Sequence, residues 1–281
     1  MILVFGKTGQ VASALRELVP DAHFAGRDEA DLSRPEDCAA LIAKLQPSGV
    51  INAAAYTAVD RAEEEAELAR TVNAQAPAAM AKACAEVGIP LVHISTDYVF
   101  DGSGEGARSP DDPIAPLNAY GQTKAEGEDA VRKSGADYAI IRTSWVFSRF
   151  GGNFVKTMLR LGAERDTLRI VADQIGGPTP AEAIAKTCLS ALDALHADRA
   201  ASGVYHLSGT PDVSWADFAR AIFDEAGLEV TVEDIPTKDF PTPAARPLNS
   251  RLDCSSLSAI GATRPQWRPA LEPIIEEFKA S

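Results

Sequence analysis

Long apolar runs are missing from this sequence. No stretch approaches the roughly 20 consecutive apolar residues that a transmembrane helix needs. The first residues, MILVFGKTGQ, have no basic segment ahead of their apolar run, so we do not expect a signal peptide. We expect a cytoplasmic protein that does not bind membranes.

Cysteine is scarce and scattered. The 281 residues include four cysteines, Cys38, Cys84, Cys188 and Cys254, with no Cys-x-x-Cys pair and no Cys/His cluster. This spacing argues against a zinc site and against a disulfide framework. We predict buried thiols and no metal ion in the active site.

Positive charge is also in the minority. The 27 Lys and Arg residues stand against 40 Asp and Glu residues, which gives a net charge of −13. Such a surface repels nucleic acid and anionic membranes, so neither is an expected partner. An anionic small substrate would need local positive charge or helix N-termini to bind.

Aromatic residues make up 6% of the chain, whereas 46% of it is apolar, as is typical of an alanine-rich α/β protein. Through the first half, apolar runs alternate with helical patterns. The predicted strands are 2–5, 23–26, 49–55, 90–96 and 138–147, and the predicted helices are 10–18, 35–46 with Ser33 as N-cap, roughly 62–87, and a helix carrying Tyr120 and Lys124. Apolar strands alternating with helices predict a doubly wound parallel sheet of the Rossmann type.

The pattern changes after about residue 150. Helices are predicted at 153–164, 180–195 and 214–227, and a short strand at 203–209. The segment from Val230 to Asp253 is rich in proline and polar residues, which favours a loop region facing the substrate. We therefore predict an NAD(P)-binding Rossmann domain over 1–150. Residues 151–281 would form mainly a smaller α/β substrate-binding part, with some chain returning to the first domain.

A glycine turn follows the first strand. Gly6 and Gly9 in GKTGQVA have the spacing of a dinucleotide-binding loop, and Ala12 takes the third small position. Small residues here let the backbone approach a pyrophosphate at a helix N-terminus. A tight strand–helix turn with no ligand uses glycines too, but the position after the first buried strand favours a cofactor loop.

The end of the second strand bears on the choice of cofactor. An acidic residue there would bind a ribose 2′-hydroxyl, whereas Arg27 can pair with a 2′-phosphate. Lys7 could support Arg27 in binding the 2′-phosphate, although Arg27 and Lys7 could also be ordinary surface residues. Asp31 could accept a hydrogen bond from the adenine amino group, and the small residues of NAAA (52–55) leave space for the cofactor. We predict NADPH, with NADH possible.

Thr96, Tyr120 and Lys124 together suggest hydride transfer to a carbonyl. Tyr120 and Lys124 are four residues apart, which puts them on one helix face, and Thr96 ends a strand. A developing alkoxide needs a proton donor and a second hydrogen bond, which Tyr120 and Thr96 can supply. A nearby ammonium on Lys124 would lower the pKa of the Tyr120 phenol. Taken alone, the pair would more often be a solvated helix face.

With these residues in place, the sequence resembles the extended short-chain dehydrogenases/reductases. In particular it is similar to the dTDP-4-dehydrorhamnose reductase family, block by block over nearly the whole chain. The blocks that carry the resemblance are FGKTGQV, NAAAYTAVDRAE, STDYVFDG, APLNAYGQTKAEGE, RTSWVF, NFVKTMLRL, DQIGGPT and ARPLNSRLD.

The resemblance implies that NAD(P)H reduces the C4 ketone of dTDP-4-dehydro-β-L-rhamnose to give dTDP-L-rhamnose. It implies cofactor contacts from Gly9, Gln10, Val11, Asp31, Leu32, Ala53, Ala54 and Ala55. Thr96 and Asp97 would contact the sugar, and Trp145 would contact the substrate unless it is a core tryptophan. Arg246 would meet the diphosphate unless it pairs with a carboxylate.

Some members of this family are described as dimers linked by Mg²⁺ through glutamates. The matching position in the first helix holds Ala14 here, which cannot bind a metal. We expect a monomer or a weak homodimer. Two alternatives remain open: a non-catalytic regulatory subunit like that of methionine adenosyltransferase, and another nucleotide-sugar reductase, epimerase or dehydratase. A dehydratase usually needs an added acid–base pair after the threonine, and only Asp97 stands there.

Overall fold

Residues 1–280 are described by a computed structural model, and they form strands and helices in regular alternation. The strands are β1 (Ile2–Phe5), β2 (His23–Ala25), β3 (Gly49–Asn52), β4 (Leu91–Thr96), β5 (Tyr138–Thr143), β6 (Val146–Phe147), β7 (Thr167–Val171), β8 (Ile175–Gly176), β9 (Thr179–Pro180), β10 (Gly203–Leu207), β11 (Val213–Ser214), β12 (Thr231–Ile235) and β13 (Asn249–Ser250). The α-helices are α1 (Gln10–Leu18), α2 (Pro35–Leu45), α3 (Ala66–Arg70), α4 (Ala76–Val87), α5 (Ala119–Lys133), α6 (Phe154–Glu164), α7 (Ala181–Ala197), α8 (Trp215–Ala226) and α9 (Glu272–Ala280). None of these helices combines the length and the apolar run that crossing a membrane requires.

Six strands build one parallel sheet in the order β2-β1-β3-β4-β5-β10. The predicted doubly wound fold is therefore confirmed. The chain winds outward from the centre in two directions, so the strand order reverses between β1 and β3. The crevice at such a reversal, outside the carboxyl ends of the strands, is where open α/β sheets bind ligands.

Helices cover the sheet on both faces because successive strand residues point to opposite sides. On one face Val4 and Val92 pack with α1 and α7. On the other face Leu3 and Val50 pack with α2 and α4. Both layers are closed to water, which explains why the central strands carry apolar residues on both faces.

The chain after β6 builds a second, smaller apolar cluster from α6, α8 and α9. The same part of the chain contains a parallel strand pair, β7 with β12, and a three-stranded sheet in the order β11-β8-β13. Two elements of this half return to the main sheet: β10 pairs with β5, and α7 packs against α1.

The structure corrects four sequence-based predictions about single elements. The predicted helix over 62–87 is divided into a 3-10 turn, α3, a π-helical segment over 71–75, and α4. The predicted loop between Val230 and Asp253 contains β12 and β13, because Val232 and Ile235 pack while their neighbours stay polar. The strand predicted to reach residue 147 stops at Thr143 and resumes at β6. Ser33 does not cap α2, whose N-cap residue is Arg34 and has no side-chain cap.

A buried ion pair joins α5 to β5. Arg142 is fully buried and donates to both oxygens of the Glu128 carboxylate, at 2.9 Å from Nε to Oε1 and 2.7 Å from Nη2 to Oε2. Its Nη1 atom donates to the carbonyl oxygen of Pro110 at 3.1 Å. The two charges compensate each other inside the protein, and the bidentate geometry sets the position of α5 along the sheet.

Glu128→Gln should destabilise the protein strongly, because it leaves the Arg142 charge buried without its counter-ion. We expect a loss of roughly 3–5 kcal/mol in the free energy of unfolding, measured by urea denaturation. Asp129→Asn is the matched control, since Asp129 pairs with Lys133 on the exposed face of the same helix. It should cost less than about 1 kcal/mol. Equal effects of the two substitutions would contradict the role of the buried pair.

Candidate active site

The three predicted catalytic residues meet at the carboxyl end of the central strands. Thr96 is the last residue of β4, and its hydroxyl donates to Asp97 Oδ1 at 3.1 Å. Tyr120 lies in the first turn of α5, with its phenol close to the Thr96 side chain. Lys124 follows one turn later and is almost completely buried. The structure thus places the hydroxyls of Thr96 and Tyr120 together, as carbonyl reduction requires.

Tyr120 has a different electrostatic environment from the one that the sequence predicts. Burial raises its pKa to about 12, the neighbouring Thr96 side chain lowers it, and the Asp97 charge raises it. The prediction that Lys124 lowers this pKa is wrong for this structure, because the ammonium is directed elsewhere. Tyr120 is therefore protonated at neutral pH, which is the form that a proton donor needs.

Lys124 is held by the sheet. Its Nζ atom donates to the backbone carbonyl of Ile94 at 2.6 Å and lies 3.3 Å from Nε2 of His93. Burial lowers the pKa of Lys124 to about 8, and the nearby Glu128 carboxylate acts in the opposite direction. The side chain is therefore an ammonium at neutral pH, and it loses its proton at a pH only slightly higher.

The start of α5 explains how Tyr120 reaches the crevice. Asn118 caps the helix by accepting from the Gly121 N–H at 2.8 Å. A Cβ atom at Gly121 would lie 2.2 Å from the carbonyl oxygen of Tyr98. Glycine is thus required for α5 to approach the turn after β4, and this approach brings the rings of Tyr120 and Tyr98 into an edge-to-face contact at 5.5 Å.

The glycine turn has the geometry that a dinucleotide needs. Gly6 has a φ of +117°, which side-chain-bearing residues rarely adopt, and a Cβ there would lie 3.2 Å from the carbonyl oxygen of Ala53. Gly9 precedes α1 without a side-chain cap, so the first backbone N–H groups of the helix have no partner within it. Ala53, Ala54 and Ala55 follow β3 beside this turn and are half-buried. These residues fit a pyrophosphate and the cofactor's passage over the sheet.

Three other predicted cofactor residues have side chains that are already engaged. Gln10 holds the segment after β6, because its Oε1 accepts from Ser148 at 2.8 Å and its Nε2 donates to the Val146 carbonyl at 3.3 Å. Val11 and Leu32 pack in the two apolar layers. A bound cofactor would therefore contact mainly the backbone of Gln10, Val11 and Leu32.

Arg27 lies exposed at the end of β2, as the sequence predicts. Lys7 does not support it, since its Nζ pairs with Asp28 at 3.4 Å. Asp31 accepts from the Ser33 N–H at 2.9 Å, and this bond, with the nearby Arg27 charge as a smaller contribution, lowers the pKa of its carboxyl. Arg27 is therefore an exposed cation at this edge of the crevice that is available to bind an anionic ligand.

Asp97 is buried beside Thr96, and burial raises its pKa to about 6, while the nearby Ser250 side chain lowers it. Ser250 belongs to the C-terminal segment that crosses the crevice. In the same segment Arg246 donates to Asp60 Oδ2 at 2.8 Å. Of the two alternatives for Arg246, the structure thus shows the carboxylate pair, and its charge also reaches Tyr98 at the site.

Trp145 has an unusual backbone. Its φ is +49°, a conformation that is rare for a bulky residue and is associated with functional sites. The half-buried indole stacks on Trp215 at the start of α8, with ring centres 3.6 Å apart and planes inclined by 13°. Trp145 is neither a surface residue nor a core residue, and it joins the end of β5 to the second apolar cluster.

Several residues around the site are not predicted by the sequence pattern. His93 and Asn52 form a buried hydrogen bond beneath Lys124, and Trp215 supports Trp145. A histidine in the middle of an apolar strand is a signal that could have identified His93. The contact between Trp145 and Trp215 joins residues 70 positions apart, and no local pattern predicts it.

Ala14 lies beside a cavity of about 800 Å³, together with Glu17 and Glu182. Among residues 1–280, no group of three His, Cys, Asp or Glu side chains is arranged to hold a metal ion. An alanine offers no ligand at this position, and the absence of a metal from the active site stays a prediction.

Known proteins of similar sequence and structure match this chain over nearly its whole length. A dTDP-4-dehydrorhamnose reductase from Sinorhizobium fredii is 41% identical over 98% of this chain and 96% of its own. A solved dTDP-4-dehydrorhamnose reductase from Clostridium acetobutylicum superposes with a TM-score of 0.91, at 34% identity over 99% of both chains. That of Bacillus anthracis, solved in complex with NADP, superposes with a TM-score of 0.90, at 36% identity over 98% of both chains. The family model described as the RmlD substrate binding domain matches residues 1–280, and the chain belongs to this family.

Proposed function

We propose that this protein catalyses the NADPH-dependent reduction of the C4 ketone of dTDP-4-dehydro-β-L-rhamnose, which yields dTDP-L-rhamnose. The observation that carries the proposal is the junction of Thr96, Tyr120 and Lys124 at the end of β4, beside an open dinucleotide turn. The similar reductases and the NADP complex of the Bacillus anthracis protein support both the substrate and the cofactor.

In this reaction the bound cofactor supplies a hydride to the ketone carbon. Tyr120 donates its phenolic proton to the oxygen, on which negative charge develops, and Thr96 holds that oxygen with a hydrogen bond. Lys124, one turn further along α5, would hold the cofactor's ribose. Asp97 and Trp145 contact the sugar nucleotide.

A non-catalytic regulatory subunit is the weaker alternative, because Thr96, Tyr120 and Lys124 are all present and lie near one another. We further propose that residues 1–150 hold the cofactor and that residues 151–281 mainly bind the substrate, with α7 and β10 returning to the sheet. A monomer or a weak homodimer fits the alanine at position 14.

Tyr120→Phe removes one oxygen and leaves the ring to pack. Turnover should fall by roughly 10²–10⁴-fold while NADPH affinity changes little, because the proton donor is lost and the cofactor site is not. Lys124→Ala should reduce both. Stopped-flow measurement of NADPH oxidation with the ketone, together with cofactor titrations, checks these results. Tyr138→Phe, at the far end of β5, is the matched control and should be silent. A Tyr120→Phe variant with more than half of the parent's single-turnover rate would end the assignment.

Arg27→Ala should weaken NADPH binding more than NADH binding, because it removes a charge-assisted bond to the 2′-phosphate. We expect a difference of roughly 1.5–3 kcal/mol between the two cofactors in binding titrations. Arg34→Ala is the control, since this exposed arginine already pairs with Asp37. If both cofactors lose affinity equally, Arg27 does not recognise the 2′-phosphate.

Trp145→Ala should raise the KM for the sugar nucleotide by roughly tenfold, the amount that a lost aromatic contact of about 1.4 kcal/mol produces. The melting temperature should change little. Trp267→Phe is the control: Trp267 is buried and donates to the Pro211 carbonyl at 2.8 Å, so this change should lower stability and leave KM unaltered. A loss of roughly 3–5 kcal/mol in stability for Trp145→Ala, with KM unchanged, would identify a core residue instead.

A further inference from the structure

The C-terminal segment that crosses the crevice, residues 244–250, is attached at its two ends to different parts of the molecule. At its far end the N–H of Asn249 donates to the carbonyl oxygen of Gly102 at 3.0 Å. A Cβ atom at Gly102 would lie 2.5 Å from Cα of Pro247, so the segment packs closely on the turn after β4. The last residues of the segment form β13, which pairs with β8. Backbone pairing therefore fixes this end.

The near end is held by side chains, and Asp60 makes two of the contacts. Its Oδ1 accepts from the Ala244 N–H at 3.2 Å, and its Oδ2 accepts from Arg246 Nη2 at 2.8 Å. Between them Asn118, the N-cap residue of α5, donates to the Ala245 carbonyl at 2.8 Å. Asp60 thus holds a backbone group and a side chain of the same short stretch, which fixes both the position and the direction of the segment there.

The turn that carries Asp60 is itself attached to the catalytic helix. Asp60 belongs to the chain that follows β3. Further along the same turn, Glu63 Oε1 accepts from the N–H of Ala119, the first residue of α5, at 2.8 Å. Tyr120 is the next residue of that helix. One turn therefore contacts both the start of α5 and the near end of the segment, so it sets the position of the segment relative to Tyr120.

The charge of Arg246 is compensated by Asp60. Burial raises the pKa of the Asp60 carboxyl, but the hydrogen bonds from Arg246 and Ala244 outweigh this effect and bring the pKa below its ordinary value. At the neighbouring Tyr98 phenol, whose pKa is raised by burial, the Arg246 and Asp60 charges act in opposite directions. A guanidinium with its counter-ion in place offers an anionic substrate little net attraction.

We propose that Asp60 is a positioning residue for substrate binding: it holds residues 244–250 beside the catalytic edge, and Arg246 serves as a point of attachment for this segment rather than as a ligand of the substrate diphosphate. The inference rests on the reductase function proposed above. Without Asp60 the segment is in place for only part of the time, and the apparent affinity for the sugar nucleotide falls by that fraction. Bound substrate restores the segment, so turnover at saturation is retained.

Asp60→Ala removes both contacts at a partly exposed position. We expect the KM for the sugar nucleotide to rise by roughly tenfold, as when the segment is in place about one-tenth of the time, with kcat and the Kd for NADPH within about twofold of the parent. Arg246→Gln should also raise KM, and the double variant should match Asp60→Ala, because both changes break the same attachment. Asp234→Ala is the matched control, since Asp234 pairs with Arg220 at an exposed position of β12, and it should leave KM unchanged.

A direct contact between Arg246 and the diphosphate predicts a change of opposite sign. Asp60→Ala would then free the guanidinium and lower KM, whereas Arg246→Gln would raise it. That pair of results overturns the proposal, and so does an unchanged KM in Asp60→Ala.

The attachment of the segment can also be measured without substrate. Hydrogen exchange followed by mass spectrometry reports how often the backbone of residues 244–250 opens. Exchange there should be roughly tenfold faster in Asp60→Ala than in the parent, and it should not change in Asp234→Ala. Unaltered exchange in Asp60→Ala overturns the proposal. A parent protein that does not reduce the ketone would instead refute the reductase function and leave the exchange result standing.

Discussion

The ion pair between Glu128 and Arg142 is the constraint on which the active site depends. Both groups are buried, and charges in such a place persist only when they compensate each other in good geometry. Glu128 lies one turn beyond Lys124 and two turns beyond Tyr120, so the pair that attaches α5 to β5 also sets the rotation of the helix face that carries the catalytic groups. A small turn of α5 would remove Lys124 from Ile94 and His93 together.

The parallel sheet determines what α5 can meet. Because all six strands run in the same direction, their carboxyl ends lie at one edge. Residues from β1, β3 and β4 therefore converge there although they are far apart in sequence. The glycine turn, the alanines after β3 and Thr96 reach the crevice in this way.

The second half of the chain closes the crevice through side-chain contacts rather than through the main sheet. Asn118 donates to the carbonyl of Ala245 at 2.8 Å, so the cap of α5 also holds the C-terminal segment. Trp145 makes a second such contact by stacking on Trp215. The first contact links the catalytic edge to the C-terminal segment and the second links it to the smaller apolar cluster. The proposed substrate site thus lies where the two parts of the molecule meet.

The sequence alone determined the fold class and most of the elements, because apolar periodicity and glycine turns are local properties of the chain. It also predicted Thr96, Tyr120 and Lys124, since strand ends and four-residue helical spacing place them on the same side. The break in the strand at Trp145, the strand β12 and the divided helix before α4 were not predictable, because packing between distant segments decides them. The protonation of the site belongs to the same class. Lys124 faces Ile94 and His93 rather than acting on Tyr120, whose pKa is raised mainly by its own burial. Hydrogen-bond partners and burial set pKa values, and both exist only once the chain has folded.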